Sequence, residues 1–245
     1  MSVPRRKRES KLEALLAFDE TFCHETAETQ RRDYAGILGV DEVGRGSIIG
    51  PVVAAAALFP TDLSDAQKTA LALLDDSKAA HLNHEKRLNL AETLKSCCYW
   101  GIGEASKEEV ETLNVAQASL LASHRAILHL GKQFPDCELK TYLVVVDGKL
   151  KIPGLPLGQR PCVKADSQSA AVAAASVLAK AYRDAMIILL AKDYPGYDWE
   201  TNAGYPTPAH KRAIDTLGLT PLHRQTYQAV RMVLEQQTQL FKQTT

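Results

Sequence analysis

GVDEVGRGSIIGPVVAAAALF, residues 39–59, ends a short apolar run in two adjacent carboxylates, Asp41 and Glu42, and follows them with a glycine-arginine-glycine turn. With the preceding YAGIL, the first part reads as a strand over residues 34–44, and residues 50–59 read as a second strand. In both, β-branched and small apolar residues run between Gly and Pro punctuation. The two are predicted to pair as a hairpin. Two like charges where a buried strand ends, beside a permissive turn, need a physical reason.

Working outward, CCYWGIGEAS (97–106) reads as a third strand, TYLVVVDG (141–148) as the clearest strand, and RPCVKAD (160–166) as a shorter one. Between them lie helical patterns over residues 65–74 and 83–96, and over residues 107–130, where a single helix is predicted to stop at Gly131 as its C-cap. A strongly helical segment follows over 167–192, with Ser167 or Ser169 as N-cap. From residue 193 onward the chain reads as loop-rich, then helical again in two short segments. Residues 9–32 read as an amphipathic helix packed on the main domain.

Three early strands followed by alternating helices and strands indicate an α/β fold, a mixed sheet flanked by helices. In such sheets the working residues sit at strand carboxyl ends, and Asp41, Asp147 and Asp166 are all predicted there. The expected division is an N-terminal, helical extension over 1–33 and a main domain over 34–245 that ends in helices.

Composition removes other classes. No run approaches the roughly 18 uncharged apolar residues of a membrane helix, and the basic start MSVPRRKRES is followed by no apolar signal core, so a cytoplasmic protein is expected. Five cysteines, Cys23, Cys97, Cys98, Cys137 and Cys162, form no C-x-x-C pair and point to reduced thiols rather than disulfides or zinc. Lys plus Arg equals Asp plus Glu at 29 each, so contact with a polyanion must come from a local surface.

If the strands are neighbours, Asp41, Glu42, Asp147 and Asp166 converge. Two carboxylates about 4 Å apart repel by about 4 kcal/mol at an effective dielectric near 20. A hard divalent cation relieves that repulsion, and oxygen-only donors suit Mg²⁺ or Mn²⁺. Two such ions about 4 Å apart clamp a scissile phosphate, one activating water and the other stabilising the leaving oxygen. Phosphodiester hydrolysis is the chemistry that follows.

These motifs together resemble the bacterial type 2 ribonuclease H family, ribonuclease HII. The similar stretches are GVDEVGRG with GPVVAAA, DSK, VVVDG, VKAD with AAASVLAKAYRD, YPGY, GYPTPAH and PLHR, collinear over about residues 35–228. The resemblance implies an RNase H-like fold and a metal-dependent endonuclease that cuts the RNA of RNA–DNA hybrids. It also implies incision 5′ of single ribonucleotides in duplex DNA, leaving 5′-phosphate and 3′-hydroxyl ends.

By the same resemblance, Asp41, Glu42, Asp147 and Asp166 match the four acidic metal-binding and catalytic positions, with two Mn²⁺ or Mg²⁺ ions expected when substrate is bound. Gly44, Arg45 and Gly46 match the motif that reads the ribose 2′-hydroxyl through main-chain atoms, Tyr205 the tyrosine that packs on the sugar and base, and Ser77 and Lys78 a segment near the backbone phosphates. His210, His223 and Arg224 align near the C-terminal helices, where His210 either holds a phosphate or packs. His81 and His84 read as surface residues.

The chain departs from the family at Ala79 and Ala203, where lysines are usual, and at Ala165, where glycine is usual; the first two predict weaker, less salt-dependent substrate binding. The expected partner is duplex nucleic acid containing ribonucleotides, met by a monomer away from any membrane; a contact with a replication clamp is not readable from the sequence. The competing readings are a non-catalytic hybrid-binding homologue and a metal-dependent phosphatase.

Overall fold

The hairpin forms as the quoted stretch predicts. In a computed structural model that describes residues 11–60, 62–71, 74 and 84–243, β1 (Gly36–Val43) runs antiparallel to β2 (Val52–Leu58), with Asp41 opposite Ala55. β3 (Tyr99–Ala105) pairs antiparallel with β2 on the outer side. On the other flank of β1, β4 (Tyr142–Asp147) and then β5 (Gln159–Cys162) add in parallel, giving the order β3-β2-β1-β4-β5. The fold is the expected α/β architecture with a mixed sheet.

Nine helices complete the described chain: α1 (Lys11–Gln30), α2 (Asp65–Ala70), α3 (His84–Cys97), α4 (Lys107–Leu113), α5 (Val115–Gln133), α6 (Ala170–Asp193), α7 (Trp199–Asn202), α8 (Pro208–Leu217) and α9 (Gln228–Gln243). Both sheet faces are covered, which is why VVAAAAL of β2 is buried throughout instead of alternating. Leu38, Val40, Val144 and Val146 pack towards α5, while Ile37, Leu143 and Val145 pack towards α1 and the start of α6. Each such side chain contributes about 1.5–3 kcal/mol by leaving water. Gly39 is required by the approach of α6, since a Cβ there would overlap the backbone of Ala171 and Val172.

Four local expectations are corrected, and one open alternative is decided. The helix predicted over 107–130 is two, because Asn114 adopts φ 70° and its side chain accepts from the amides of Ala116 and Gln117, starting α5 anew. Gly131 is not a cap; α5 continues through it to Gln133. Ser169 is the N-cap of α6, accepting from the Val172 amide, whereas Ser167 belongs to a 3-10 turn, Ala165–Ser167. Asp166 therefore sits on that turn rather than at a strand end. Of the two C-terminal segments, α9 is not short.

α1 is held in the core, with Leu12 and Leu15 packed among side chains of α3, α6 and β2, and Phe22 and Cys23 packed near β4. A further cluster of Ile48, Ile49, Ile187, Tyr197, Trp199, Ile214 and Val230 joins the turn after β1 to the C-terminal helices. All five cysteines are free thiols. No helix among the described residues is long and apolar enough to cross a membrane.

Candidate active site

β1 and β4 lie side by side and parallel, with Val40 opposite Val146, so the next residues, Asp41 near the end of β1 and Asp147 at the end of β4, come together near the carboxyl ends of the two strands. Asp41 is 8% exposed, and its Oδ1 accepts from the Glu42 amide at 2.8 Å. Burial pushes its carboxyl up to about 7; the Ser176 hydroxyl opposes the shift, and the charges of Glu42 and Asp147 add to it. Glu42 is also raised, chiefly by burial and further by Asp147, although Arg45 holds its Oε1 at 2.9 Å and works in the opposite direction.

Asp147 ties the remaining acid to this group. Its Oδ1 accepts from the Ala165 amide at 2.8 Å, which pins the turn that carries Asp166 against the end of β4. The chain enters that turn through Lys164 in the left-handed region, φ 59°. The structure thus brings Asp41, Glu42 and Asp147 within electrostatic reach of one another, and anchors the Asp166 turn to the third of them.

The donor chemistry of the site suits a hard divalent cation. Its carboxylates are oxygen donors, the charges of Glu42 and Asp147 add to the rise of Asp41 and that of Asp147 to the rise of Glu42, and Arg45 is the cation paired with Glu42. Among the described residues, no three His, Cys, Asp or Glu side chains are already closed into a metal-binding cluster. Several of the carboxylate oxygens are instead engaged by the protein, at the Glu42 amide, the Arg45 guanidinium and the Ala165 amide.

Beyond the acids, the turn at Gly44, Arg45 and Gly46 is held from behind by two arginines with no exposed surface, Arg183 and Arg224. Nη1 of Arg224 donates to the carbonyls of Gly44 at 2.8 Å and Ser47 at 2.7 Å, and its Nε donates to Gly50 at 2.9 Å. The Tyr227 hydroxyl donates to the Arg45 carbonyl at 2.7 Å. Arg183 reaches the carbonyls of Ile49 and Ala203. Gly44 has φ +93°, and any Cβ there would strike the Arg183 side chain, so glycine is required twice over.

Burial draws both guanidinium pKa values down, Arg183 to about 10, which leaves it charged at neutral pH. Arg183 was missed in the sequence; among the charged residues of AAASVLAKAYRDAMIILL in α6, Lys180, Arg183 and Asp184, nothing in the spacing singled it out. Arg224 was noted only as an aligned position, with no role.

Tyr205 lies across from the turn, 37% exposed, and a Cβ on Gly46 would sit 3.1 Å from its ring. Its carbonyl accepts from Nδ1 of His210 at 3.0 Å, while Nε2 of His210 accepts from the Trp199 indole at 2.9 Å. His223 stands 3.3 Å away and accepts at Nδ1 from the Thr220 amide. Both histidines are buried and drawn down by that burial, so His210 packs and braces the Tyr205 loop.

At Ala203 the main chain takes a left-handed φ of 49° and offers its carbonyl to Arg183. The Ala165 methyl is wholly buried beside Phe22 and Val172. Ser77, Lys78, Ala79 and His81 lie outside the described residues; His84 is exposed at the start of α3.

Residues 38–232 match the family model described as Ribonuclease HII. The chain is 42% identical over 203 residues to the Ribonuclease HII of Paracoccus denitrificans, covering 81% of this chain and 87% of that protein. It is 45% identical over 187 residues to that of Trichodesmium erythraeum, covering 76% and 83%.

Among solved structures, ribonuclease H2 from Pyrococcus horikoshii matches with a TM-score of 0.64 at 22% identity, over 82% of this chain and 97% of that one. RNase HII in a PCNA:RNase HII complex from Archaeoglobus fulgidus matches at 0.58 and 23%, over 80% and 96%. Bst-RNase HIII in complex with Mn²⁺ matches at 0.59 and 20%, over 81% and 69%. At these identities the structural likeness establishes the shared fold.

Proposed function

The chain belongs to the ribonuclease HII family, and from that premise we propose that Asp41, Glu42, Asp147 and Asp166 form its catalytic set. It is an endoribonuclease, a phosphodiester hydrolase acting on RNA in RNA–DNA hybrids. The observation that carries the site assignment is the pairing of β1 with β4, which puts Asp41 and Asp147 side by side near the carboxyl ends of two interior strands, with Glu42 next to Asp41 in the chain.

These carboxylates would hold Mn²⁺ or Mg²⁺, two ions with substrate present. When bound, the cations supply positive charge to the scissile phosphate and make water there more acidic. Asp41 and Asp147 would flank that position. Glu42, freed from its ion pair with Arg45, and Asp166 would complete the donor set, and Asp166 would help move the proton of water or leaving group. The turn at Gly44, Arg45 and Gly46 brings main-chain atoms to the 2′-hydroxyl, the group that separates RNA from DNA at one nucleotide. Tyr205, whose half-exposed ring faces that turn, stacks on the neighbouring sugar and base, a contact worth about 1–3 kcal/mol.

Cleavage then falls 5′ of a single ribonucleotide in duplex DNA, leaving 5′-phosphate and 3′-hydroxyl ends. Ser77 and Lys78 would meet backbone phosphates. The enzyme works as a monomer in the cytoplasm, and the neighbour solved with PCNA makes a sliding clamp a candidate partner, detectable by co-elution of the two purified proteins.

The deciding experiment is cleavage-site mapping on a duplex with one ribonucleotide, with Mn²⁺, Mg²⁺ or chelator, for the wild type and Asp147→Asn. Incision 5′ of the ribonucleotide is expected, dependent on metal and reduced at least about a hundredfold in the variant, the scale for loss of one essential charge-stabilising group. An Asp147→Asn protein cutting at the wild-type rate refutes the assignment.

A further inference from the structure

Asp166 is carried by a three-residue 3-10 turn between β5 and α6, and α1 touches that segment at both ends and beneath. Ahead of the turn, Arg160 of β5 donates from Nη1 to the Thr26 hydroxyl at 2.7 Å, and its guanidinium carbon lies 3.9 Å from the Phe22 ring centre. Thr26 is itself wholly buried and donates to the Phe22 carbonyl at 2.7 Å, so the partner of Arg160 is fixed. Beyond the turn, Asp19 accepts at Oδ2 from the Ala171 amide at 3.1 Å. That amide is one of the first-turn donors of α6 that have no partner within the helix. Under the turn, the buried Ala165 methyl packs in the cluster that Phe22 and Cys23 of α1 help to build.

The turn is closed by short-range bonds, among them the Ser169 amide to the Ala165 carbonyl at 2.7 Å, the Ser167 hydroxyl to the Lys164 carbonyl at 2.8 Å and the Gln168 side chain to the Val163 and Lys164 carbonyls at 3.1 Å. These set its shape but do not tie it to the sheet. Ser167 and Gln168 donate to the carbonyls of Lys164 and Ala165, and Ala165 donates to Asp147. Short 3-10 segments have poor hydrogen-bond geometry, so their orientation follows the restraints at their two ends. A catalytic carboxylate must be held within about 0.5 Å of its working position, which demands that its support be rigid. Resting on the reading of Asp166 as one of the catalytic acids, we propose that α1 is the brace that positions it. Asp19 fixes the exit of the turn, and the pair of Thr26 and Arg160 fixes its entry. The N-terminal segment is then part of the catalytic scaffold rather than an appendage to it.

The test compares full-length Asp19→Ala, Asp19→Asn, Arg160→Met and Asp166→Asn with the wild type. Three quantities are read: steady-state cleavage of a hybrid duplex, Mn²⁺ affinity by calorimetry without nucleic acid, and hydrogen exchange of amides 167–172. Supporting groups around a metal site typically change affinity or activity by about 10–100-fold. Asp19→Ala and Arg160→Met are therefore expected to lower kcat and Mn²⁺ affinity about tenfold, with KM within about twofold, and to speed exchange across the turn. Asp19→Asn keeps an acceptor for Ala171 and restores both within about threefold.

Wild-type kcat and Mn²⁺ affinity in Asp19→Ala and Arg160→Met, with a lower melting temperature alone, would mean that α1 only stabilises the fold and would overturn the inference. Should Asp19→Ala fail to fold, Thr26→Val removes the Arg160 acceptor at nearly constant volume. Unchanged kcat and affinity there overturn it equally. A fully active Asp166→Asn refutes the underlying assignment instead, so the two failures are distinguishable.

Discussion

Asp41 is placed where its charge is costly, and replacing it with asparagine should stabilise the protein while abolishing cleavage. Its folded pKa is pushed up from 3.8 to about 7, chiefly by burial. A shift of roughly three units corresponds to about 4 kcal/mol between the two protonation states, taken as an upper bound. The sign follows from linkage. A carboxyl raised in the fold binds more protons folded than unfolded between pH 3.8 and about 7, so its contribution is fully favourable below 3.8 and is lost as pH rises through about 7.

Asparagine has the same shape, keeps an Oδ1 to accept from the Glu42 amide, and carries no charge. In metal-free buffer at pH 8.5, Asp41→Asn should be about 2–4 kcal/mol more stable, the loss of the hydrogen bond that the Ser176 hydroxyl donates to the carboxylate accounting for the lower end. For a chain of this size, about 1 kcal/mol moves Tm by about 2–4 °C, so a rise of about 4–15 °C is expected. Urea unfolding of both proteins at pH 4.5, 6, 7 and 8.5 gives the assay. The difference should grow with pH, level off above about 8, and shrink when Mn²⁺ is added, because the ion stabilises only the chain that keeps its carboxylate. A variant no more stable than wild type at pH 8.5, or a difference independent of pH, refutes the reasoning.

Tyr227→Phe removes the donor to the Arg45 carbonyl and an acceptor for Arg224 while keeping the ring. About a tenfold loss of kcat/KM on a duplex with one ribonucleotide is expected, equal to about 1.4 kcal/mol, with Mn²⁺ affinity unchanged; a value within twofold of wild type would show that the turn holds its shape without the hydroxyl. His223 is drawn down from 6.5 to about 4, chiefly by burial, so it contributes stability in full above pH 6.5 and loses it as pH falls towards 4, by about 3 kcal/mol. Between pH 6.5 and 4.5 the wild type should lose more unfolding free energy than His223→Asn, and equal losses would place the acid sensitivity elsewhere.

Much of the active site could be read along the chain because strand ends announce themselves. A β-branched run that stops in Asp-Glu or Asp-Gly marks Asp41, Glu42 and Asp147 without any knowledge of neighbours, and glycines 44 and 46 mark a turn where backbone must come close to something. Asp166 was harder. VKAD looks like a strand end, but the chain leaves β5 at Cys162 and turns through a left-handed Lys164 that no periodicity foretells. The break at Asn114 was hidden for a similar reason. Apolar spacing continues across it, and a capping asparagine inside a helical pattern resembles any other polar position.

Sequence alone indicated most of the elements, the candidate acidic set and its oxygen-donor chemistry, since these depend on residue type and on contacts a few positions apart. Only the tertiary structure decided that β1 and β4 are neighbours, which turns separate strand-end acids into one cluster. It also decided that Arg183 and Arg224 lie wholly buried behind the turn at Gly44, far from it in sequence, and that α1 reaches the segment bearing Asp166. Periodicity reports whether a position faces the core, but not which distant element it meets there. Those partners are settled by packing two covered sheet faces at once, a property of the whole chain.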